Sequence, residues 1–299
     1  MHKFIPDNPR VLVQGITGKE ASRALPGMLE YGTNVVAGVT PGRGGQVVEG
    51  IPVFNTAKEA IAAKGPINMV VQFVPALHTW RATEEVLSAG VPFVLVGAEK
   101  VPVHDALRML ALAKKNDAML IGPGSVGMIV PNMKLKIGMV GGDKPSRTFS
   151  PGNIAVLSKS GGMTSEIASL LKQHGRGVSL AAGLGGERIT GSDFADILML
   201  LEDDANTKAS VIFGELGGFA EEKVAEAVAS GHIRKPIVSF TVGEFVSALP
   251  HSVPFGHTGA ILLGSRGGVI EKRVALRKAG VLVAERFDDI PSLLGSTLP

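Results

Sequence analysis

The fold is decided by a stretch near the start of the chain, Val11-Leu-Val-Gln-Gly-Ile-Thr-Gly-Lys-Glu20. A short apolar strand ends at Gln14 and continues through a glycine turn into a helix that should begin near Gly18. A turn of this kind places backbone N–H groups and the positive end of a helix against a phosphate. The spacing is Gly-x-x-Gly, so the full dinucleotide fingerprint is not met, and a tight turn without a ligand fits this stretch equally well.

Short β-branched runs alternate with helical stretches along the rest of the chain, which indicates parallel sheets covered on both faces. In the first half, strands are predicted at 11–14, 34–38, 69–73, 93–96 and 118–121, and helices at 77–88 and 104–115. In the second half, strands are predicted at 154–157, 178–182, 210–213 and 236–240, and helices at 164–173, 193–201 and 220–229. The polar segment 141–151 has two prolines and a glycine pair, which predicts a linker. We therefore expect two α/β domains with doubly wound sheets, at residues 1–140 and 141–299.

Composition limits the classes of function. With 299 residues, 45% of them hydrophobic, the chain is long enough for two cores. No apolar run approaches the roughly 20 residues that span a bilayer, and the N-terminus lacks the apolar part of a signal peptide. There is no cysteine, so disulfides, thiolate metal sites and a cysteine nucleophile are excluded. The lysines and arginines are scattered, so we do not expect binding to nucleic acid. By default we expect a cytoplasmic protein that does not bind membranes.

The end of the second predicted strand carries a cation. An NAD site has a carboxylate at this position, to bond the ribose 2′-hydroxyl. Here the sequence is Thr40-Pro-Gly-Arg-Gly-Gly45, and the guanidinium of Arg43 favours the phosphorylated ribose of NADP or coenzyme A. A flexible surface loop is the alternative. The chain has no P-loop motif, so ATP would bind elsewhere, most simply on a partner chain.

Among the seven histidines, His257 has the most unusual surroundings, Val253-Pro-Phe-Gly-His-Thr-Gly-Ala260, where nearby glycines leave the imidazole unobstructed. The turn Ser158-Lys-Ser-Gly-Gly-Met-Thr164 follows a predicted strand and is suited to holding a phosphate. Glu215 follows another strand at the same sheet edge, and a carboxylate bonded to one ring nitrogen leaves the other nitrogen nucleophilic. Spacing alone leaves His257 open between a catalytic and a structural role. No histidine pair has the spacing of a zinc site on one helix.

Taken together in chain order, several short motifs resemble the α subunit of succinyl-CoA synthetase and related nucleoside-diphosphate-forming acyl-CoA ligases. The resemblance covers nearly the whole chain in one register. It is carried by Gln14-Gly-Ile-Thr-Gly18, Gly38-Val-Thr-Pro-Gly-Arg-Gly-Gly45, Gly50-Ile-Pro-Val-Phe-Asn-Thr56, Ile121-Gly-Pro123, Ser158-Lys-Ser-Gly161, Gly191-Ser-Asp-Phe194, Gly214-Glu-Leu-Gly-Gly218 and Gly256-His-Thr-Gly-Ala260.

The resemblance implies a Rossmann-like CoA-binding domain followed by a flavodoxin-like ligase domain. It also implies a partner, an ATP-grasp β subunit in an αβ or α₂β₂ assembly, which would carry ATP or GTP with Mg²⁺, so no metal site is expected in this chain. Matched by position, the residues that would hold coenzyme A are Thr17, Gly18, Lys19, Glu20, Arg43 (usually lysine in the family), Gly97, Ala98 and Glu99. His257 would be the phosphohistidine and Glu215 the acid that orients it. The phosphate or the substrate would meet Ser158, Ser160, Gly161, Gly162 and Ser165.

The implied reaction has three steps. His257 takes the γ-phosphoryl group, a small carboxylic acid takes it to form an acyl phosphate, and the CoA thiol displaces phosphate.

The sequence also departs from the succinate enzymes. Ser125 stands where the family usually has cysteine, Ser165 stands where it has tyrosine, and the segment 21–27 diverges and contains Pro26. Two motifs, Ser125-Val-Gly127 and Ser160-Gly-Gly-Met163, are closer to ATP-citrate lyase and citryl-CoA synthetase. The acid therefore stays open between succinate, citrate and malate.

Two alternatives of a different class remain. A non-catalytic CoA-binding regulator would need neither His257 nor Glu215. An NADP oxidoreductase is disfavoured by the incomplete fingerprint and by the lack of a hydride-site pattern in the second half.

Overall fold

The stretch that decides the fold forms the central strand of a seven-stranded sheet in the computed structural model, which describes residues 4–244, 257–260 and 267–297. The elements of this first domain are β1 (Val11–Gln14), α1 (Lys19–Tyr31), β2 (Val35–Val39), β3 (Val47–Val48), β4 (Ile51–Phe54), α2 (Ala57–Lys64), β5 (Met69–Gln72), α3 (Thr79–Ser88), β6 (Phe93–Val96), α4 (Val103–Lys115) and β7 (Met119–Ile121). The strand order is β3-β4-β2-β1-β5-β6-β7, and only β3 runs antiparallel to its neighbour. Without β3 this is the 3-2-1-4-5-6 order of a Rossmann sheet.

The second sheet also has seven strands, in the order β14-β13-β12-β10-β11-β8-β9. Its elements are β8 (Gly127–Val130), β9 (Leu135–Gly138), β10 (Pro151–Ser158), α5 (Gly161–Gln173), β11 (Val178–Gly183), α6 (Phe194–Leu201), β12 (Ala209–Glu215), α7 (Ala220–Ala229), β13 (Ile237–Val242), α8 (Val269–Lys278), β14 (Leu282–Val283) and α9 (Ile290–Gly295). The five parallel strands from β10 to β14 follow the 2-1-3-4-5 order of flavodoxin. The predicted fold class, a Rossmann-like domain followed by a flavodoxin-like domain, is confirmed.

The second sheet takes two strands from before the predicted linker. In the hairpin β8–β9, strand β8 pairs antiparallel with β11 and β9 forms the edge of the sheet, so the two sheets divide between Ile121 and Gly127. The predicted linker 141–151 instead joins two strands of one sheet, β9 and β10. Its Pro145 is buried and its Phe149 packs in the core of the second domain, which explains why this polar stretch is not free to act as a linker. The predicted domain boundary at 140/141 concerns the units that fold independently and not the sheets, and it stays a prediction.

The two domains pack closely, which brings the carboxyl ends of their sheets together. Helix α1 packs against β9, and the hydroxyl of Thr33 donates to the Lys136 carbonyl at 2.7 Å and accepts from its N–H at 2.9 Å. The Ser192 N–H donates to the carbonyl of Leu120, at 2.6 Å, across the same boundary. No helix in the described ranges is long and apolar enough to cross a membrane.

Candidate active site

A cleft of about 710 Å³, here called the strand-end cleft, opens at the carboxyl end of the first sheet. Wound sheets bind ligands at this edge, where the strand order reverses. Seven of the eight residues that the resemblance assigns to coenzyme A line it: Thr17, Gly18, Lys19, Glu20, Gly97, Ala98 and Glu99. Its volume is in the range of small-molecule and cofactor sites.

The first turn of the domain explains the shape of this cleft. Gly15 has a φ of 78°, and a Cβ at this position would lie 2.6 Å from the Phe73 carbonyl oxygen, so only glycine fits. The Gly18 N–H donates to the Gly15 carbonyl at 2.9 Å, and Gly18 then begins α1 without a side-chain cap. The N–H groups of the first helical turn have no acceptor within the helix. They are therefore available to a phosphate in the cleft.

Arg43 lies on a braced loop beside the strand-end cleft. The Asn55 side-chain oxygen accepts from the N–H groups of Gly42 and Gly44, at 2.9 and 3.0 Å. The Arg43 N–H donates to the carbonyl of Thr40, whose residue lines the cleft. Arg43 is exposed and does not itself belong to the described lining of the cleft. Its predicted contact with a ribose phosphate stays a prediction.

A second cavity of about 290 Å³, here called the histidine cavity, adjoins the first. The two share lining residues: Gly97, Glu99, Ser125 and Met139. The first domain contributes the segment after β6, while the second contributes His257 and the start of α5. The strand-end cleft and the cavity that His257 lines are therefore contiguous.

His257 is fixed by the acid predicted to orient it. Its Nδ1 lies 2.6 Å from Oε2 of Glu215, the last residue of β12. The side chain of His257 is 39% exposed, whereas that of Glu215 is 12% exposed. With Nδ1–H donating to the carboxylate, the neutral ring keeps its unshared electron pair on Nε2. Gly256, the predicted glycine before the histidine, lies outside the described residues.

The electrostatic surroundings of His257 favour the protonated ring. The hydrogen bond to Glu215 raises the pKa of His257 above its ordinary value of 6.5, partial burial lowers it, and the charges of Glu215 and Glu99 raise it further while Lys159 opposes them. Nε2 can act as a nucleophile only after the ring loses its proton. Reactivity therefore increases as the pH rises through this raised pKa.

Gly186, which no sequence motif singled out, lies directly against the imidazole of His257. A Cβ on Gly186 would lie 2.4 Å from Cγ of His257, so a side chain cannot be accommodated under the ring. The Gly186 carbonyl accepts from the Gly259 N–H at 2.9 Å. The neighbouring Glu187 carboxylate accepts from the Lys100 N–H at 2.6 Å and from the Thr258 hydroxyl. Glu187 thus joins the segment that carries His257 to the loop after β6 of the first domain.

The residues of the predicted phosphate turn have different roles. Ser158 is fully buried, and its hydroxyl donates to the Ser160 carbonyl at 2.7 Å and accepts from the Ser160 N–H at 3.0 Å, so this side chain shapes the turn and its position does not support a phosphate contact. Ser160 caps α5, and Gly161 lines the histidine cavity. Gly162 is exposed in the first turn of the helix. The positive end of α5 thus meets the cavity.

Ser165 and Ser125, the two departures from the family, differ in position. Ser165 is half-buried on α5 and does not belong to the described lining of either cavity. Ser125 lines both cavities, and its hydroxyl donates to the Gly183 carbonyl at 2.6 Å. A substrate contact from Ser165 stays a prediction.

Sequence reasoning missed several residues of this site. Lys159 lines the histidine cavity, and a lysine inside a predicted phosphate turn was a signal that could have been used. Gly186 and Glu187 follow β11, and their role depends on contacts with a segment about 70 residues away, which no local pattern reveals.

Comparison with known families agrees with this geometry. A family model described as a CoA binding domain matches residues 7–100, and a succinyl-CoA ligase like flavodoxin domain matches residues 151–295. The chain therefore contains a CoA-binding domain and a ligase domain, and its class is that of the acid–thiol ligases.

The relatives define the family more closely. The chain is 40% identical over 287 residues to subunit alpha 1 of an ADP-forming succinate–CoA ligase from Archaeoglobus fulgidus, covering 96% of this chain and 95% of that one. It is 38% identical to a subunit of the ADP-forming sulfoacetate-CoA ligase from Acholeplasma sp, covering 98% of this chain and 97% of that one. The chain belongs to the family of succinate–CoA ligase alpha subunits.

A solved structure has the same arrangement of both domains. The ATP citrate lyase of Methanothrix soehngenii, in complex with citrate and coenzyme A, superimposes with a TM-score of 0.91 at 27% sequence identity. The match covers 99% of this chain and 50% of the lyase chain, so this chain spans about half of that longer protein.

Proposed function

We propose that this chain is the α subunit of an ADP- or GDP-forming ligase that joins a small carboxylic acid to coenzyme A through phosphorylated His257. One observation carries the proposal. The imidazole held by Glu215 at 2.6 Å lines a cavity that shares four residues with the cleft predicted to bind coenzyme A. A sensor of coenzyme A would need neither the carboxylate nor the junction between the two cavities.

The chemistry proceeds by three displacements. Nε2 of His257 attacks the γ-phosphorus of the nucleoside triphosphate, the bond to the β-phosphate oxygen breaks, and the diphosphate leaves. A carboxylate oxygen of the acid then attacks that phosphorus, the N–P bond breaks, and an acyl phosphate forms. Finally the CoA sulfur attacks the acyl carbon, the bond between that carbon and the phosphate oxygen breaks, and inorganic phosphate leaves with the thiol proton. The covalent intermediate divides a difficult ligation into easier transfers.

The residues around the ring have matching roles. Glu215 holds the tautomer that exposes Nε2 and stabilises the positive charge that develops on the ring. Lys159 and the start of α5 present positive charge to the phosphoryl oxygens in the histidine cavity. Thr17 to Glu20 and Gly97 to Glu99 hold coenzyme A, and Arg43 meets its 3′-phosphate.

The nucleotide is assigned to a partner, an ATP-grasp β subunit. The sequence has no P-loop, and in the described ranges no three His, Asp or Glu side chains cluster closely enough to hold a metal ion. Mg²⁺ would arrive with the nucleotide on that partner and neutralise the charge of the transferred phosphoryl group. The choice between αβ and α₂β₂, and the cytoplasmic location, stay predictions.

The acid is proposed to carry an anionic group besides the carboxylate that is activated. The relatives named above are described as acting on succinate or sulfoacetate, and the superimposed lyase contains citrate. Lys100 and Lys159 both line the histidine cavity and suit a second negative charge. A citrate-type acid is the second candidate, because the fold agrees with the lyase at a TM-score of 0.91 and Ser125 faces both cavities.

Labelling tests the proposal. When the chain is co-expressed with its partner and given γ-³²P-ATP or γ-³²P-GTP with Mg²⁺, it should acquire an acid-labile, base-stable label. His257→Ala should abolish the label, while the labelled wild-type complex should release it on addition of one acid from a set containing succinate, sulfoacetate, malate and citrate. A label that persists in the variant would overturn the assignment of His257.

A further inference from the structure

We propose that a buried ion pair, Lys272 with Glu221, is a positioning device for Glu215 and, through it, for His257. The proposal deepens the proposed function, because it concerns the same imidazole. Neither residue belongs to the cavities or touches the ring. Both act on the main chain of the residue that holds the ring.

The two side chains of the pair form hydrogen bonds with both main-chain polar groups of Glu215. The Glu215 N–H donates to Oε1 of Glu221 at 3.1 Å, and the Glu215 carbonyl accepts from Nζ of Lys272 at 3.0 Å. Glu215 is the last residue of β12 and lies two positions beyond Phe213, where the pairing of β12 with β10 ends at Ser158. The side chains therefore continue the hydrogen bonding at the point where the sheet stops providing it.

The next turn is held by the same ammonium group. Nζ of Lys272 also donates to the Gly217 carbonyl at 2.6 Å and to Oε2 of Glu221. An ammonium group has three protons, and here three acceptors take them. The Gly217 N–H in turn donates to the Gly267 carbonyl at 2.8 Å. The turn after the catalytic acid is thus fixed by residues from α7 and α8.

The ion pair of Lys272 and Glu221 is completely buried. Both side chains are 0% exposed. Taking two charges out of water is costly, and replacing a buried pair by apolar residues is often neutral for stability or better. A Cβ on Gly214 would lie 2.3 Å from Oε1 of Glu221, so the chain also needs glycine here to admit the carboxylate. Such an arrangement is well suited to fixing a geometry and poorly suited to adding stability.

The pair also reaches the histidine cavity on its other side. Nζ of Lys159 lies 3.7 Å from Oε1 of Glu221, and Lys159 lines the cavity beside His257. The Glu221 carboxylate thus orients the main chain of Glu215 and also lies near Lys159, the cation proposed to meet the phosphoryl group. Positioning in this way sets where the acid and the cation lie relative to Nε2.

The test measures which ring nitrogen of His257 carries the proton, because a loss of stability alone does not change this tautomer. In the full-length chain labelled with ¹⁵N-histidine, above the pKa of the ring, the proton of wild-type His257 should reside on Nδ1. A His257→Asn spectrum assigns the signals. The double variant Lys272→Met/Glu221→Leu removes both charges of the pair together. We expect its proton to move substantially to Nε2, and phosphorylation in the complex to slow at least about tenfold.

Lys136→Met is the matched control. Lys136 is 1% exposed, and burial lowers its pKa, but it lies on β9 where that strand contacts α1 and does not belong to the described lining of the histidine cavity. This variant should change the melting temperature without changing the tautomer of His257.

A double variant that keeps the proton on Nδ1 and the wild-type rate of phosphorylation overturns the proposal. If the double variant does not fold, Glu221→Gln is measured instead. Glu221 accepts from the Glu215 N–H with one oxygen and from Lys272 with the other, and glutamine has an NH₂ donor in place of one of them. Its outcomes are read in the same way. The tautomer is measured without nucleotide or partner, so a failure of the proposed function, with wild-type chain unlabelled by ATP and GTP, is distinguishable from a failure of the positioning role.

Discussion

The two strand ends that meet at this site are built differently. The turn after β1 consists mainly of glycines and exposed residues such as Thr17 and Lys19, and α1 begins there without a side-chain cap. The turn after β12 begins with two buried residues, Leu216 and Gly217, and side chains from two helices bond to the main chain of Glu215. The first arrangement leaves hydrogen-bond donors open for a ligand, whereas the second fixes a group before any ligand arrives. Binding and positioning are thus assigned to separate domains.

We expect the largest effect from Gly186→Ala, which should disturb the positioning of His257 without disturbing the binding of coenzyme A. The added methyl group would lie 2.4 Å from Cγ and 2.6 Å from Nδ1 of His257, so the ring must move by roughly 1 Å to reach an ordinary contact. A displacement of that size costs about a hundredfold in rate. We expect phosphorylation of His257 to fall by about this factor while the KM for coenzyme A stays close to that of the wild type, as single-turnover and steady-state kinetics would measure.

The control for this substitution is Gly295→Ala, at the end of α9. A Cβ there meets only Arg176, at 3.6 Å, which is an ordinary contact. Wild-type phosphorylation in the Gly186→Ala variant would mean that the ring is not held as described.

A smaller effect is expected on the binding side. Reversing the charge with Arg43→Glu should raise the KM for coenzyme A about tenfold, since the lost contact is charge-assisted but exposed to solvent and salt. The KM for dephospho-CoA and the rate of His257 phosphorylation should change little. Arg81→Glu, at an exposed arginine of α3 paired with Glu84 at 2.8 Å, provides the matched charge reversal. Equal effects on the two forms of coenzyme A would remove Arg43 from the 3′-phosphate.

The difference between the two strand ends also decides how much of the site could be predicted. The turn from Gly15 to Glu20 is contiguous, so its role is visible in the sequence, and the structure places those residues in one cleft. The contact of Glu215 with His257 joins residues 42 positions apart. The position of Glu215 at a strand end made this contact a possibility, and the ordered family motifs then pointed to it, because nothing in the local spacing relates the two residues.

The ion pair behind Glu215 gave no usable signal. Glu221 lies among several charged residues of α7, and Lys272 lies in a similarly charged part of α8, where the sequence indicates solvated helix faces. Their burial depends on the packing of α7 against α8. The fold class was predictable because it depends on the alternation of strands and helices. The linker was not, because its burial depends on Phe149 reaching the core of the second domain.

The central claim is that Glu215 holds Nδ1 and leaves Nε2 to receive the phosphoryl group. The most direct test is to phosphorylate the complex with ATP or GTP and Mg²⁺, denature it in base, and identify the substituted nitrogen of His257 by ³¹P and ¹⁵N NMR. We predict Nε2-phosphohistidine at His257. Phosphate on Nδ1 of this residue would contradict the claim, because that nitrogen is the one bonded to Glu215 at 2.6 Å.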